Sequence, residues 1–188
     1  VISSLLNLQA RGAEPGVAGA LAESQGRVKA MALIHQLLYE RNDFSQVDLS
    51  AYLRRLCALF QEGYRGNRAN FALRVDAPGE IFLSLQSAVP CGLLVNELVT
   101  NAVKHAFPEQ RAGHIDVGLV ATDDGHCVIS VADDGIGLPA DVIPGVSSSL
   151  GMQLIPLLAE QANGEWTVHR EHGTRFELHI ATAAAEGA

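Results

Sequence analysis

The 188-residue chain is 48% hydrophobic, enough to bury a real core, and its length suits one large domain or one domain with an attached element. A net charge of −8 and a pI near 5.3 come with no basic stripe, since "YLRR" and "GYRGNR" are too sparse, so nucleic acid is excluded as a partner. No signal peptide or apolar span of about twenty residues is present, so no membrane contact is expected from this chain. Along the chain, "VISSLLNLQARG" reads as an apolar helix ending at Gly12, and "AEPGVAG" carries a Pro-Gly turn signal. A helix over residues 19–41 follows. Its Leu21, Val28, Met31 and Leu38 form a seam that calls for a partner helix, so residues 1–45 are expected to fold as a helical hairpin. Asp48 is placed to cap a third helix, "LSAYLRRLCALFQEGY".

From Asn70 the texture changes. "ANFALRVD" and "IFLSL" read as strands, and the long apolar run "AVPCGLLVNELVTNAVKHAF" as a helix stopping before Pro108. "HIDVGLVAT" and "HCVISVADD" read as strands joined by the hairpin signal "DDG". The loop "GIGLPADVIPGVSSS" leads into the helix "LGMQLIPLLAEQANG", with Gly164 as its expected stop. "EWTVHRE" and "TRFELHIAT" form a last strand pair, and residues 183–188 a tail. The expected class is α+β, with helices on one face of a mostly antiparallel sheet over residues 46–182. Cys57, Cys91 and Cys127 lie in apolar segments without C-x-x-C spacing and read as buried, reduced thiols.

Four features are candidates for chemistry. In "NELVTNAVKHAF", Glu97, Asn101 and Lys104 lie at i, i+4 and i+7, with His105 adjacent. Such a stripe is either a solvated helix face or a face for phosphate and metal. In the second case one asparagine oxygen and phosphate oxygens would hold Mg²⁺, a carboxylate would act on the nucleophile, and a lysine would meet the terminal phosphate. "VADDGIGLP" carries Asp133, Gly135 and Gly137 as D-x-G-x-G. A Rossmann reading fails because the third glycine and a parallel βαβ unit are missing. In "SSSLGM", Ser149 is expected to cap the next helix, and Gly151 lets its amides approach an anion. In "GTRF", Thr174 starts the last strand.

The order of these motifs resembles the Bergerat-fold (GHKL) ATP-binding domain shared by gyrase B, heat-shock chaperone, histidine kinase and mismatch-repair ATPases. "NELVTNAVKHAF" is similar to its N box, "DDGIGLP" and "SLGMQLI" to its two glycine boxes, and "GTRFEL" to its last motif. "VISSLLNLQAR" and "RVKAMALIHQLLYERNDFSQVDLSAYLRRL" resemble the dimerisation and phosphotransfer region of HisKA_2/HWE-type sensor histidine kinases. The resemblance implies transfer of the γ-phosphoryl group of Mg-ATP to a histidine, in a two-component phosphorelay with a response regulator receiver domain. Homodimerisation through the hairpin and a cytoplasmic catalytic region are implied too, the whole protein being soluble or membrane-anchored.

It also implies roles. Asp133 accepts from the adenine amine, Thr174 supports the base, and Gly135 and Gly137 let the backbone pass close to it and hinge a lid over residues 138–148. Asn101 ligates Mg²⁺, Glu97 polarises the attacking imidazole and Lys104 holds phosphate. His105 is the N-box histidine and Gly151 sits near the phosphates. Three departures stand out. The acceptor motif H-R-x-K-N-N-L-Q would precede Val1, so this chain is expected to bind nucleotide without labelling itself. No W-x-E motif lies near the first glycine box, which favours the HisKA_2 type, and Pro156 is expected to bend its helix. His35 is expected to be a packed seam residue and not the acceptor. A GHKL-type ATP hydrolase, an anti-sigma-like serine kinase and a scaffold that binds nucleotide without transfer remain as alternatives.

Overall fold

The computed structural model describes residues 2–41, 45–64, 71–146 and 149–183. Helix α1 (Ile2–Ala10) folds back on α2 (Pro15–Arg41), tied by Gln25 Nε2 donating to the Ser3 carbonyl at 2.8 Å. Proline at the first position of α2 suits a helix start, where its fixed φ is favourable and no donor is wasted. No residue of α1 is buried, and Ile2, Leu5 and Leu8 are exposed.

The buried stripe of α2 is Ala30, Leu33, Ile34, Leu37 and Leu38. The expected seam is therefore corrected: only Leu38 of it is buried, Leu21 and Val28 are half-buried, and Met31 is exposed. The cause is that this half of α2 packs into the main core with α3 and α4, so its broader 30–33–34–37–38 face wins over a heptad seam for one partner. His35 falls off that face and is exposed, contrary to the expectation of a packed residue.

Strand β1 (Gln46–Asp48) precedes α3 (Leu49–Tyr64), and the Asp48 carboxylate caps α3 by accepting from the Ala51 N–H at 3.0 Å. Three residues are too few to show a period, so β1 was not legible in the sequence. It pairs antiparallel with β3 (Phe82–Ser84), which puts "IFLSL" in a separate two-stranded ladder. The main sheet has the order β2-β4-β5-β7-β6, from β2 (Phe71–Asp76), β4 (Gly113–Ala121), β5 (His126–Asp133), β7 (Thr174–Ala181) and β6 (Glu165–His169). Only the β2–β4 pair is parallel.

One sheet face carries buried Ile115, Val117, Leu119, Cys127, Ile129, Val131, Leu178 and Ile180 under the helices. The other presents Arg74, Asp116, Arg175 and His179. Above the apolar face lie α4 (Leu85–Asn101) and α5 (Leu150–Gln161). Ser84 caps α4 through its Oγ, which accepts from the Ser87 N–H at 3.3 Å. Burial pushes Cys57 up to about 12 and Cys127 up to about 11, and raises Cys91 as well, as expected of inert thiols.

Two helix-end expectations are corrected at α5. Ser149 occupies the N-cap position, but its side chain makes no capping hydrogen bond. The left-handed residue after the helix is Asn163, at φ 54°, and the Gly164 N–H returns to the Ala159 carbonyl at 2.9 Å. Gly164 is needed for closeness instead: a Cβ there would lie 2.5 Å from Ile180 Cγ2. The helix runs unbroken through Pro156. The Met152 carbonyl, which the proline leaves without its intrahelical donor, accepts the Gly145 N–H at 2.9 Å.

Candidate active site

Helix α4 continues into a π-helical segment, Ala102–Ala106, whose small residues Ala102 and Ala106 are buried. Widened turns of this kind change the angular register of everything after them. Glu97 and Asn101, both before this turn, still meet at Gly151, so the single face expected for Glu97, Asn101 and Lys104 is corrected at Lys104, which lies within the turn. Asn101 and His105 line one cavity, whereas Glu97 and Lys104 turn to α2. Glu97 is 3% exposed, and both its oxygens are taken by Arg27: Nε donates to Oε1 and Nη2 to Oε2, each at 2.8 Å. Asn96 Nδ2 adds a bond to Oε1 at 3.2 Å. The bond to Glu97 is the chief cause that raises the Arg27 guanidinium further above its ordinary value. Lys104 Nζ is paired with Glu23, one turn before Arg27 on α2. Glu23 and Arg27 also approach each other to 3.6 Å as an i, i+4 pair, and no local signal in the sequence points to their partners 81 and 70 residues away.

The cavity, about 430 Å³, is lined among others by Asn101, His105, Asp133, Gly137, Met152 and Thr174. Strand pairing explains part of this convergence. Asp133 at the end of β5 is registered opposite Thr174 at the start of β7. Asp133 Oδ1 accepts the N–H of Gly135 at 3.0 Å and of Thr174 at 3.3 Å, and the Thr174 side chain also bonds to the carboxylate. Burial nonetheless dominates and raises the Asp133 pKa above its ordinary value. Its neighbour Asp134 has a different task. It accepts the His114 N–H at 2.7 Å and faces His114 Nδ1 at 3.0 Å, tying β4 to the loop, and the His114 N–H first of all lowers its pKa.

The glycines act by proximity and conformation. A Cβ on Gly135 would overlap the Ala106 carbonyl, and the next N–H, of Ile136, donates to that carbonyl at 3.0 Å. Gly137 adopts φ 82°, open to glycine at no cost. The following loop is held where it is described. Arg170 Nη1 and Nη2 donate to the carbonyls of Pro139 and Val142, at 2.6 and 3.1 Å, beside the Gly145 bond to Met152. Part of the expected lid, residues 147–148, lies outside the described residues.

At the start of α5, a Cβ on Gly151 would sit 2.9 Å from Glu97 Oε2 and 3.5 Å from Asn101 Oδ1. The glycine thus keeps clear a cradle between a helix N-terminus, a carboxylate and an amide. Asn101 Nδ2 contacts Met152 Sδ at 3.4 Å. Among the described residues no group of three or more His, Cys, Asp or Glu side chains could hold a metal by itself. A lone amide oxygen beside such a cradle is a ligand of the type Mg²⁺ takes together with water and anion oxygens.

Two family profiles match the chain: "Histidine kinase" over residues 1–64 and "Histidine kinase-, DNA gyrase B-, and HSP90-like ATPase" over residues 87–184. The chain is similar to the sensor histidine kinase PdtaS of Mycobacterium tuberculosis, 30% identical over 185 residues, covering 95% of this chain and 36% of that protein. It is 28% identical over 181 residues to blue-light-activated histidine kinase 2 of Erythrobacter litoralis, covering 90% and 49% respectively. The chain therefore spans about a third to a half of these relatives. Among solved structures, the histidine kinase domain of the Erythrobacter litoralis EL346 blue-light activated histidine kinase superposes with a TM-score of 0.78. The identity is 21%, over 99% of this chain and 97% of that one. No helix among the described residues is long and apolar enough to cross a membrane.

Proposed function

Since the chain belongs to the histidine kinase-, DNA gyrase B- and HSP90-like ATPase family and carries the ATP-binding catalytic region of a sensor histidine kinase, we propose that it binds Mg-ATP in the Asp133 cavity and directs the γ-phosphoryl group to a histidine. The observation that carries this reading is the convergence of Asn101, His105, Asp133, Gly137 and Thr174, from separate stretches of chain, on one 430 Å³ cavity. That volume lies in the range of small-molecule sites.

Bound Mg-ATP supplies the transferable phosphoryl group and a divalent charge. The chain supplies the groups that bind and orient it. Asp133 accepts from the adenine amine, its carboxylate already aligned by the N–H groups of Gly135 and Thr174. Gly137 lets the backbone turn beside the base, and Gly151 keeps the phosphate end open. Asn101 offers its amide oxygen to the metal, and His105 borders the same cavity. Glu97 polarises the attacking imidazole and Lys104 meets the terminal phosphate once both leave their partners on α2. In-line transfer needs little else from the protein than position and charge.

In this reading residues 1–45 serve dimerisation and phosphotransfer, and residues 46–182 form the nucleotide-binding part. The exposed Ile2, Leu5 and Leu8 of α1 offer an apolar face to a second copy. A response regulator receiver domain takes the phosphoryl group onward. The catalytic region works in the cytoplasm, where ATP is available and three free cysteines stay reduced. The test is calorimetry with ADP and ATP, with and without Mg²⁺, then labelling of the kinase with [γ-³²P]ATP. Acid-labile, base-stable label is expected on the kinase that carries its acceptor histidine; label released only as inorganic phosphate would make it an ATP hydrolase instead.

A further inference from the structure

Helix α2 changes character along its length. From Ala30 onward it contributes five side chains to the core, whereas no residue between Pro15 and Lys29 is buried. That first half stands off α3 and α4 across a cavity of about 340 Å³, bordered by Gly19, Ala22, Leu56, Phe60 and Thr100. It touches α4 closely at Gly26, where a Cβ would lie 3.2 Å from Asn96 Oδ1, and through two ion pairs. Those pairs are Arg27 to Glu97 and Glu23 to Lys104. Two residues one turn apart on α2 thus take, with opposite charges, the two groups assigned above to the transfer step. Neither Glu97 nor Lys104 lines the cavity that receives Asp133, Asn101 and His105. With Arg27 on both oxygens and Asn96 on Oε1, Glu97 keeps only the Oε2 side toward Gly151 for an imidazole, and the Lys104 ammonium is held to Glu23 instead of a phosphate.

We infer that Glu23 and Arg27 form a charge-swapped latch, which docks the loosely packed half of α2 on α4 and holds Glu97 and Lys104 out of use until that half moves away. The latch rests on the transfer roles given above to Glu97 and Lys104. Its logic is that of an autoinhibitory contact made by a few ion pairs over weak packing, so a modest signal at the N-terminal end of the hairpin is enough to open it. The rest of α2 is anchored in the core and serves as the hinge point.

The test uses Glu23→Gln and Arg27→Met, singly and combined, with Glu97→Gln as a control. Two readouts are taken: amide hydrogen exchange over residues 19–29, and label transfer from [γ-³²P]ATP by the kinase carrying its acceptor histidine. Loss of one partly buried pair should raise both exchange and transfer by about fivefold. The double variant should exceed either single one. Glu97→Gln should lose transfer. Unchanged exchange in the double variant overturns the latch, because the pairs then do not hold the helix. Raised exchange with slower transfer also overturns it, since Arg27 then positions Glu97 for the reaction. Undiminished transfer in Glu97→Gln overturns the catalytic reading itself, and the latch with it. Impaired transfer in that control with a failed exchange result removes the latch alone.

Discussion

Asp133→Asn separates binding from folding cleanly. In the wild type Oδ1 accepts two backbone N–H groups, from Gly135 and Thr174. An asparagine keeps these only by placing its amide oxygen there, which leaves its NH₂ on the side left for the base. A donor then faces the adenine amine, itself a donor. A hydrogen bond to a charged group contributes roughly 1.5–3 kcal/mol, so the nucleotide affinity should fall about 10- to 150-fold. Folding should hardly suffer, because the neutral amide escapes the desolvation that raises the Asp133 pKa.

The same shift gives an internal control. Its sign is fixed: a folded-state pKa above the unfolded value means that the ionised form is disfavoured in the native protein. Native stability therefore gains as pH falls through that folded pKa, while the acceptor for adenine is lost over the same interval. ADP affinity of the wild type should drop on mild acidification, beginning above the ordinary carboxylate value of 3.8, and the variant should lack this component. Calorimetry at several pH values measures both, with urea unfolding to verify the fold. A folded Asp133→Asn chain with wild-type affinity would refute the adenine assignment.

Asn101→Ala should remove the Mg²⁺-dependent part of ATP affinity while leaving metal-free binding nearly intact; equal wild-type affinity with and without Mg²⁺ would contradict the metal role. Gly173→Ala should destabilise the chain by at least ~2 kcal/mol in urea unfolding. Gly173 has φ 106°, and an added Cβ would overlap the Asp133 carbonyl, so an unchanged midpoint would show that the β5–β7 end relaxes freely. Cys57, Cys91 and Cys127 should resist a disulfide reagent at pH 8 in the native protein and react after unfolding, since burial keeps all three protonated there. His35 should carry no phosphoryl label in mass spectrometry of the labelled kinase. It is exposed, but it lies eight residues beyond Arg27 on α2, about 12 Å along the axis from the level of Glu97.

The parts of this site that could be read from sequence are those whose chemistry is local. A D-x-G-x-G turn at a strand end and a Gly-Thr at a strand start are short-range patterns, and strand pairing then puts Asp133 opposite Thr174. The fold class was legible for the same reason, because alternation along β4, β5 and β7 writes the one-sided sheet directly. What escaped is set by distance or by backbone choice. The π-helical turn at Ala102–Ala106 has no residue signature, yet it resets the register of the residues after Asn101, among them Lys104 and His105, which border different cavities. Arg27 and Arg170 act across about 70 and 30 residues respectively, on partners that no window contains. The end of α5 was assigned to glycine by frequency, whereas Asn163 adopted the left-handed turn and Gly164 was claimed by packing on Ile180.

Pro156 gives the loop before α5 something no other residue at that position would. With an N–H at 156, the Met152 carbonyl would close an ordinary helical turn and offer little to Gly145. The imino acid turns that carbonyl into an anchorage, so the helix deficit and the loop's mooring are one bond. Casting off the loop strands a carbonyl beside buried Met152, at a cost of about 1 kcal/mol or more. Substituting Pro156 by alanine would therefore strengthen the helix and set the loop adrift in a single step. Proline here acts as a setting on how readily the loop leaves its berth, not as a fault in the helix.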